Sequence, residues 1–367
     1  MRIVQLANFY GPESGGQRTA VDELGRGYVE RGHERVLIVP GLSFGDETTP
    51  SGRRITLPGP TLPASGGYRV LANLPAVQRL LGELRPDRLE VSDKLTLWPL
   101  GRWARTRGVP SVLLSHERID AILAPRVPAG VPLRGLADLW NRRLARSFDR
   151  VVCTSRFGAE EFSRIGTRNL TVVPLGVDLD TFQPIAGATA EPAVTRLVYL
   201  GRLSREKRPE LAVETLASLH RQGHPARLTI VGAGNQLDDL RHRAAGLPVT
   251  FTGHVHERSV VAHLLATADV ALAPCPHESF GLAVLEALAA GTPVVVPDGG
   301  AAPELVVPGA GAIAAPRAEA FADGVLEVLG RPAAARRLAA RRRAERYSWD
   351  DTVDGLLAAH DAEVVSW

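Results

Sequence analysis

His277-Glu278-Ser279-Phe280-Gly281-Leu282-Ala283-Val284-Leu285-Glu286-Ala287-Leu288 is the stretch on which the fold reading turns. An apolar run at Val270–Ala273 precedes it, Gly281 makes a turn, and helix-forming Ala and Leu follow. That order predicts a strand, a loop and the opening of a helix. Glu278 falls in the loop and Glu286 about two turns further on, so two carboxylates lie near one helix N-terminus. The N–H groups of Gly281, Leu282 and Ala283 suit a phosphate there. Glu286 is placed to accept both hydroxyls of a ribose, as acids do in other nucleotide-binding α/β sites. A salt-bridged surface helix is the plainer alternative. Against it, Ala283, Leu285, Ala287, Leu288 and Ala290 leave little polar face around Glu286, and an acid among apolar neighbours is costly without a partner.

The same strand-then-helix alternation runs outward in both directions. Upstream, short apolar runs predict strands at Arg2–Ala7, Arg35–Val39, Arg53–Leu57, Arg88–Val91, Ser111–Ser115, Val151–Thr154 and Leu170–Val173, with helices such as Gly16–Arg31, Val70–Leu84, Leu95–Arg107 and Phe157–Ile165 between them. The second half repeats the scheme, from a strand at Thr195–Leu200 to a helix at Ala318–Gly330. Such spacing argues for parallel, doubly wound sheets. Pro174–Pro192, with three prolines and two glycines, is the linker candidate. The expectation is therefore two α/β units, with a crevice at the strand C-terminal ends where such folds bind ligands.

A second loop, Gly201-Arg202-Leu203-Ser204-Arg205-Glu206-Lys207-Arg208-Pro209, also joins a strand to a helix. Arg202 and Lys207 are suited to converge on a leaving diphosphate and neutralise its developing charge. A solvated basic loop is the plain alternative, but Lys94 and Lys207 are the only two lysines in the chain.

Composition sets limits on this. With 367 residues, 45% of them hydrophobic and 23% charged, the chain is long enough for two cored domains. No apolar run reaches the ~18 residues of a spanning helix, and MRIVQLANFY lacks the order of a secretory signal. The reading places the protein in the cytoplasm. Cys153 and Cys275 have no metal or redox spacing and read as buried thiols. Net charge is +3, yet the basic residues are scattered among carboxylates, which excludes a polyanion-binding class such as nucleic acid. Arg336–Arg346 is the exception; we read it as a solvated helix face, with an anionic inner membrane surface as the sharper alternative.

Taken together, these motifs resemble the retaining glycosyltransferase family 4, whose fold is called GT-B. Glu278 and Glu286 match its paired-Glu signature, and the companions stand in order: Gly15-Gly16, His116, the linker V-P-L-G-V-D-L-D-T-F-Q-P, G-R-L-S-R-E-K, and Tyr347-Ser348-Trp349. The resemblance spans nearly the whole chain. It implies two Rossmann-like domains facing across a cleft, residues 1–176 for the acceptor and 177–347 for the donor, with residues 348–367 returning as a helix to the first. It also implies an enzyme that moves a hexose from a nucleotide diphosphate sugar to a hydroxyl with retention, without metal or other cofactor. Glu286 would hold the ribose, Glu278 the sugar hydroxyls, Arg202 and Lys207 the diphosphate, and the Gly15-Gly16 backbone the phosphates from the other domain. His116 would position the sugar near its anomeric carbon. Val255, Ser279 and Phe280 complete the donor set. Glu257, in Gly253-His254-Val255-His256-Glu257, favours guanine, which offers two N–H groups where uracil offers one. GDP-mannose is thus the preferred donor and a UDP-sugar the alternative; Glu257 as a helix cap is the plain reading. The acceptor, a small molecule, glycan or lipid-linked sugar, would meet Phe9, Tyr10, Tyr68 and Arg69 in N-domain loops, with peripheral membrane contact as an option.

Three patterns are decoys. Gly41-Leu42-Ser43-Phe44-Gly45 fits a nucleophile elbow but leads into D-E-T-T-P-S-G rather than a helix. Asp178-Leu179-Asp180 has a metal-binding form but lies in the linker, and Gly232-Ala233-Gly234 lacks the rest of a dinucleotide fingerprint. The runner-up function is a same-fold nucleotide-sugar epimerase or hydrolase, and a silent sugar-nucleotide binder is third.

Overall fold

A computed structural model describes residues 1–11, 15–62, 67–120, 132–185 and 193–361. The chain divides into two compact units, Met1–Leu175 with Trp349–Trp367, and Gly176–Ser348.

The first unit is built on an eight-stranded sheet: β1 (Arg2–Leu6), β2 (Glu34–Gly41), β3 (Gly45–Thr49), β4 (Gly52–Pro58), β5 (Arg88–Val91), β6 (Ser111–Ser115), β7 (Arg150–Cys153) and β8 (Leu170–Val172). Its order is β3-β4-β2-β1-β5-β6-β7-β8, and all neighbours are parallel except β3 against β4. Val36-Leu37-Ile38-Val39 in β2 are all buried, the continuous apolar run of a strand covered on both faces. Helices α1 (Gly15–Glu30), α2 (Leu74–Leu84), α3 (Pro99–Arg105), α4 (Leu133–Ser147) and α5 (Arg156–Ser163) flank the sheet. The sequence analysis missed β3, whose residues GDETT carry no apolar signal. It forms by pairing Arg53 with Asp46 and Arg54 with Glu47 across a charged edge. With β2 ending at Gly41 and β3 starting at Gly45, the G-x-S-x-G pattern is a short link between two strands that flank β4 on opposite sides, and it opens no helix.

The last helix of the chain, α12 (Trp349–Asp361), closes this unit. Val353, Leu356 and Ala359 are buried with Ile3, Leu24, Tyr28, Val112 and Val173. Thr352 donates to the Pro174 carbonyl (2.9 Å), and Arg31 pairs with Asp350 and Asp354. Val364 and Val365, near the end of the segment expected to return as a helix, lie outside the described residues. Beneath α12 sits Glu90, fully buried in β5, which accepts from Gln5 Nε2 (2.6 Å) and Tyr28 Oη (2.9 Å) and lies 3.3 Å from His360 Nε2. Arg35, equally buried, donates to Gln5 Oε1 and the carbonyls of Ser51 and Val21.

The second unit holds a six-stranded, all-parallel sheet in the order β11-β10-β9-β12-β13-β14. Its strands are β9 (Thr195–Leu200), β10 (Ala226–Val231), β11 (Val249–Gly253), β12 (Val270–Leu272), β13 (Val294–Pro297) and β14 (Gly311–Ala314). Its helices are α6 (Pro209–Arg221), α7 (Leu237–Arg243), α8 (Arg258–Thr267), α9 (Leu282–Ala289), α10 (Ala318–Leu329) and α11 (Ala333–Ala344).

Helix α11 corrects one expectation. Its arginines are not a solvated face: Arg336 and Arg337 are buried. Arg337 donates to the carbonyls of Ala266 and Ala268, Arg341 to those of Leu179, Phe182 and Ala289, and Arg343 to those of Glu304 and Leu305. A guanidinium carries five donors and no acceptor, so it satisfies carbonyls that helix and strand ends leave open. With most of them turned inward, the membrane alternative for this stretch loses its basis as well.

Candidate functional site

The loop after β9 is fixed through its backbone. Gly232 has φ 143°, and a Cβ there would come 2.0 Å from the Gly201 carbonyl oxygen, so only glycine lets the β10–α7 turn lie against the Gly201–Leu203 loop. Leu203 N donates to the Ala233 carbonyl (2.9 Å) and Gln236 N to the Leu203 carbonyl (3.0 Å). The Gly232-Ala233-Gly234 decoy is thus a brace for the basic loop. Tyr199 Oη donates to the Arg202 carbonyl (2.9 Å), while the Arg202 side chain is half exposed, 3.4 Å from Glu206.

Residues Arg205–Lys207 form a 3₁₀ turn that carries Lys207 to Glu278, Nζ to Oε2 2.7 Å. Burial pulls the lysine down, but the Glu278 carboxylate more than offsets it and raises the net value. The ammonium is therefore fixed. It has three donors, and Glu278 takes one. Cys275 is a neighbour in the same pocket: its thiol, pushed up to about 11 by burial, donates to the Glu206 carbonyl.

Helix α9 starts at Leu282. Gly281, at φ 98°, is its N-cap, and Leu285 N is the first to bond back, to the Gly281 carbonyl. The N–H groups from Gly281 to Val284, among them the three expected to suit a phosphate, therefore have no acceptor within the helix. Gly281 and Phe280 are buried, Ser279 half-buried. One turn into α9, Glu286 is largely buried and meets Arg258 Nη2 at 3.3 Å. Burial raises its carboxyl to about 7, with Arg258 opposing and Asp178 adding. Arg258, the first residue of α8, lies with its guanidinium 5.0 Å from the Phe182 ring centre. The sequence analysis missed it, although it directly follows Glu257.

Glu257 occupies the N-cap position of α8 but makes no side-chain capping bond, and it is exposed. The helix-cap alternative is not realised. Val255 is half-buried, and His254 and His256 stack edge-on at 4.4 Å on the surface. Asp178 Oδ1 accepts from the N–H of Asp180 and Thr181, so the D-x-D segment is a turn. Among the described residues, no group of three His, Cys, Asp or Glu stands where it could hold a metal ion.

The remaining site residues lie in the first unit. Gly15 and Gly16 open α1 and are exposed. His116 follows β6, half-buried, and its Nε2 makes no hydrogen bond among the described residues. Burial pushes its imidazole down to about 4, Glu90 opposing and Lys94 assisting, so it is neutral at pH 7. Lys94, buried nearby, is held by Glu161 and the Glu117 carbonyl. Phe9 has φ 58° and stacks edge-on with Tyr68 at 5.9 Å. Tyr10 Oη donates to Asp22 and accepts from Arg54, and Arg69 donates to the Gly59 carbonyl. Tyr10 and Arg69 thus already have internal partners. Residues 63–66 of the expected acceptor loop lie outside the described residues.

Two family models match the chain: residues 14–181 that of Glycosyltransferase Family 4, and residues 190–345 that of Glycosyl transferases group 1. A GDP-mannose-dependent alpha-(1-6)-phosphatidylinositol dimannoside mannosyltransferase of Mycobacterium tuberculosis (strain ATCC 25177 / H37Ra) is 48% identical, covering 100% of this chain and 97% of that protein. A GDP-mannose-dependent alpha-(1-6)-phosphatidylinositol monomannoside mannosyltransferase of Mycobacterium tuberculosis (strain CDC 1551 / Oshkosh) is 30% identical over 83% of this chain and 82% of its own. Among solved structures, a sucrose-phosphate synthase from Thermosynechococcus elongatus superposes with a TM-score of 0.77 at 22% identity, covering 97% of both chains.

Proposed function

The chain belongs to glycosyltransferase family 4 and is a retaining glycosyltransferase with the GT-B fold; from that premise we propose that its donor is GDP-mannose and its acceptor a mannosylated phosphatidylinositol lipid. The observation that carries this reading is the 48% identity, over the whole chain, to the mycobacterial dimannoside mannosyltransferase. A second support is the paired, half-buried charge of Lys207 and Glu278, with the more exposed Arg202 on the same loop as Lys207.

On this reading the bond from the mannose anomeric carbon to the β-phosphate oxygen breaks, and its electrons leave with GDP. The acceptor oxygen bonds to that carbon on the same face, and its proton passes to the departing phosphate oxygen. Arg202 and the two remaining Lys207 donors neutralise the charge that builds on the diphosphate. First-turn N–H groups of α9 assist them. Glu278 orients the sugar through its hydroxyls while staying paired to Lys207. Glu286 accepts from the ribose in its ionised form, which Arg258 favours against burial. Glu257 reads guanine. The neutral imidazole of His116 positions the sugar by hydrogen bonding and is not a cationic acid at pH 7. The Gly15-Gly16 backbone binds phosphate, and Phe9, Tyr10, Tyr68 and Arg69 belong to the acceptor side.

Product analysis tests this. With GDP-mannose and a phosphatidylinositol dimannoside acceptor, a lipid carrying one more mannose is expected, and excess EDTA leaves its yield unchanged. Free mannose whether or not acceptor is present would mean a hydrolase. Loss with EDTA and rescue by magnesium or manganese would overturn the metal-free site.

A further inference from the structure

Helix α4 has two apolar stripes where a surface helix needs one. Ala137, Asn141, Leu144 and Ala145 face inward and are buried. On the other side Leu136 and Leu139 are 56% and 67% exposed, and Trp140 continues their spacing. Beside them Trp98 precedes α3, its ring edge-on to Trp140 at 5.8 Å. Trp140 Nε1 donates to the Lys94 carbonyl (3.1 Å), which anchors the ring's polar edge inward. These side chains line a groove of about 650 Å³ on the first unit.

Apart from Ser147, the rest of the lining is cationic. Arg102 and Arg105 come from α3, and Arg142, Arg143 and Arg146 from α4. All five are exposed, and none pairs with a carboxylate among the described residues; Arg143 instead lies over the Trp98 ring at 4.1 Å. Other arginines of this unit are neutralised in clusters: Arg118 and Arg164 share Asp120, and Arg31 takes two aspartates. Unpaired positive charge around exposed leucines and half-buried tryptophans is the composition of a surface that lies in a lipid headgroup region.

We propose that the α3–α4 face docks on an anionic phospholipid bilayer, the leucines and tryptophans entering the headgroup boundary while the arginines contact lipid phosphates. A protein partner would need acidic side chains to match five cations over a small groove, and a nucleic acid would leave the leucines unsatisfied. The inference stands on this surface alone and holds whatever the donor is. It also moves the membrane contact away from α11, whose arginines are engaged with carbonyls.

Vesicle flotation of the full chain tests it. Wild type is expected to float with phosphatidylcholine vesicles in which a third of the lipid is phosphatidylglycerol, to lose binding at high salt, and to stay in solution with phosphatidylcholine alone. Arg142→Gln/Arg146→Gln should lower partitioning roughly tenfold or more, since each surface cation contributes separately. Leu136→Ser/Leu139→Ser should lower it at the low salt concentrations where the wild type binds. Both variants should keep the wild-type melting temperature and GDP affinity, because neither touches the donor site. Equal flotation with neutral vesicles, wild-type flotation by both variants, or no flotation of the wild type would each overturn the proposal. So would a wild-type dimer in size-exclusion chromatography that the leucine variant dissociates, since a second copy would then cover the face.

Discussion

The Glu90 cluster of the first unit and the Glu278–Glu286 cluster of the second both take glutamate carboxyls out of water, and they end in opposite states. Around Glu90, burial is complete, and Gln5, Tyr28 and His360 supply three partners to one carboxylate. Burial alone would raise that carboxyl, yet these bonds hold it below its ordinary value. Around Glu286, one guanidinium at 3.3 Å is the ion-pair partner, and the carboxyl stays raised at about 7. A carboxylate whose partners over-compensate its desolvation holds a fold together. One left under-compensated, one turn into a helix whose first N–H groups lack helical acceptors, is suited to a ligand.

Breaking the closed cluster should have the largest effect. Glu90→Ala leaves Arg35 as a buried cation and Tyr28, Gln5 and His360 without their acceptor; losing one partner of a buried charge network costs ~3–5 kcal/mol. A fall in melting temperature of about 10 °C is expected, read by differential scanning calorimetry, with loss of the α12 contacts. A wild-type melting temperature would show that the network is incidental.

Breaking the open cluster should instead spare the fold and remove activity. Lys207→Ala should lower kcat by ~10²-fold or more, the cost of one charge-stabilising donor, with an unchanged circular dichroism spectrum. Full activity in that variant would remove Lys207 from the diphosphate site.

Glu286→Gln sharpens the contrast, because stability and binding should move in opposite directions. The folded state holds this carboxyl's proton more tightly than the unfolded chain does. Stability therefore falls as pH rises from the ordinary 4.5 towards 7 and stays reduced above it. Removing the charge should raise the melting temperature of the ligand-free protein at pH 8 and leave it unchanged at pH 4. It should also weaken GDP binding roughly tenfold or more, as for a lost bond to a charged group. In the wild type, GDP affinity should decline as pH drops through about 7. Melting curves and calorimetric titrations across that range decide it; an unaltered GDP affinity would exclude the ribose contact.

Much of this was legible in the sequence. Apolar runs such as Val36–Val39 and Val294–Val296 announce buried parallel strands because nothing else satisfies an unbroken β-branched stretch. The motifs around Lys207 and Glu278 were legible because glycine, charge and helix formers follow one another in a fixed order. Pairing was not. Glu90 reads as a polar interruption in R-L-E-V until Tyr28, Gln5 and His360 arrive from three other elements. Arg258 gained its role only through Glu286, 28 residues away. Helix α4 went unread because its apolar residues, on two faces, spoil a single 3.6-residue stripe. The α11 arginines look solvated in sequence because a carbonyl partner has no sequence signature.

Base preference tests the donor assignment most directly. Isothermal titration of the wild type with GDP and with UDP, repeated on Glu257→Gln, reads it without any acceptor. GDP should bind roughly tenfold or more tightly than UDP, the worth of a hydrogen bond to a charged group, and the variant should narrow that gap. Equal affinities, or tighter binding of UDP, would contradict a GDP-mannose donor and move the assignment to a UDP-sugar.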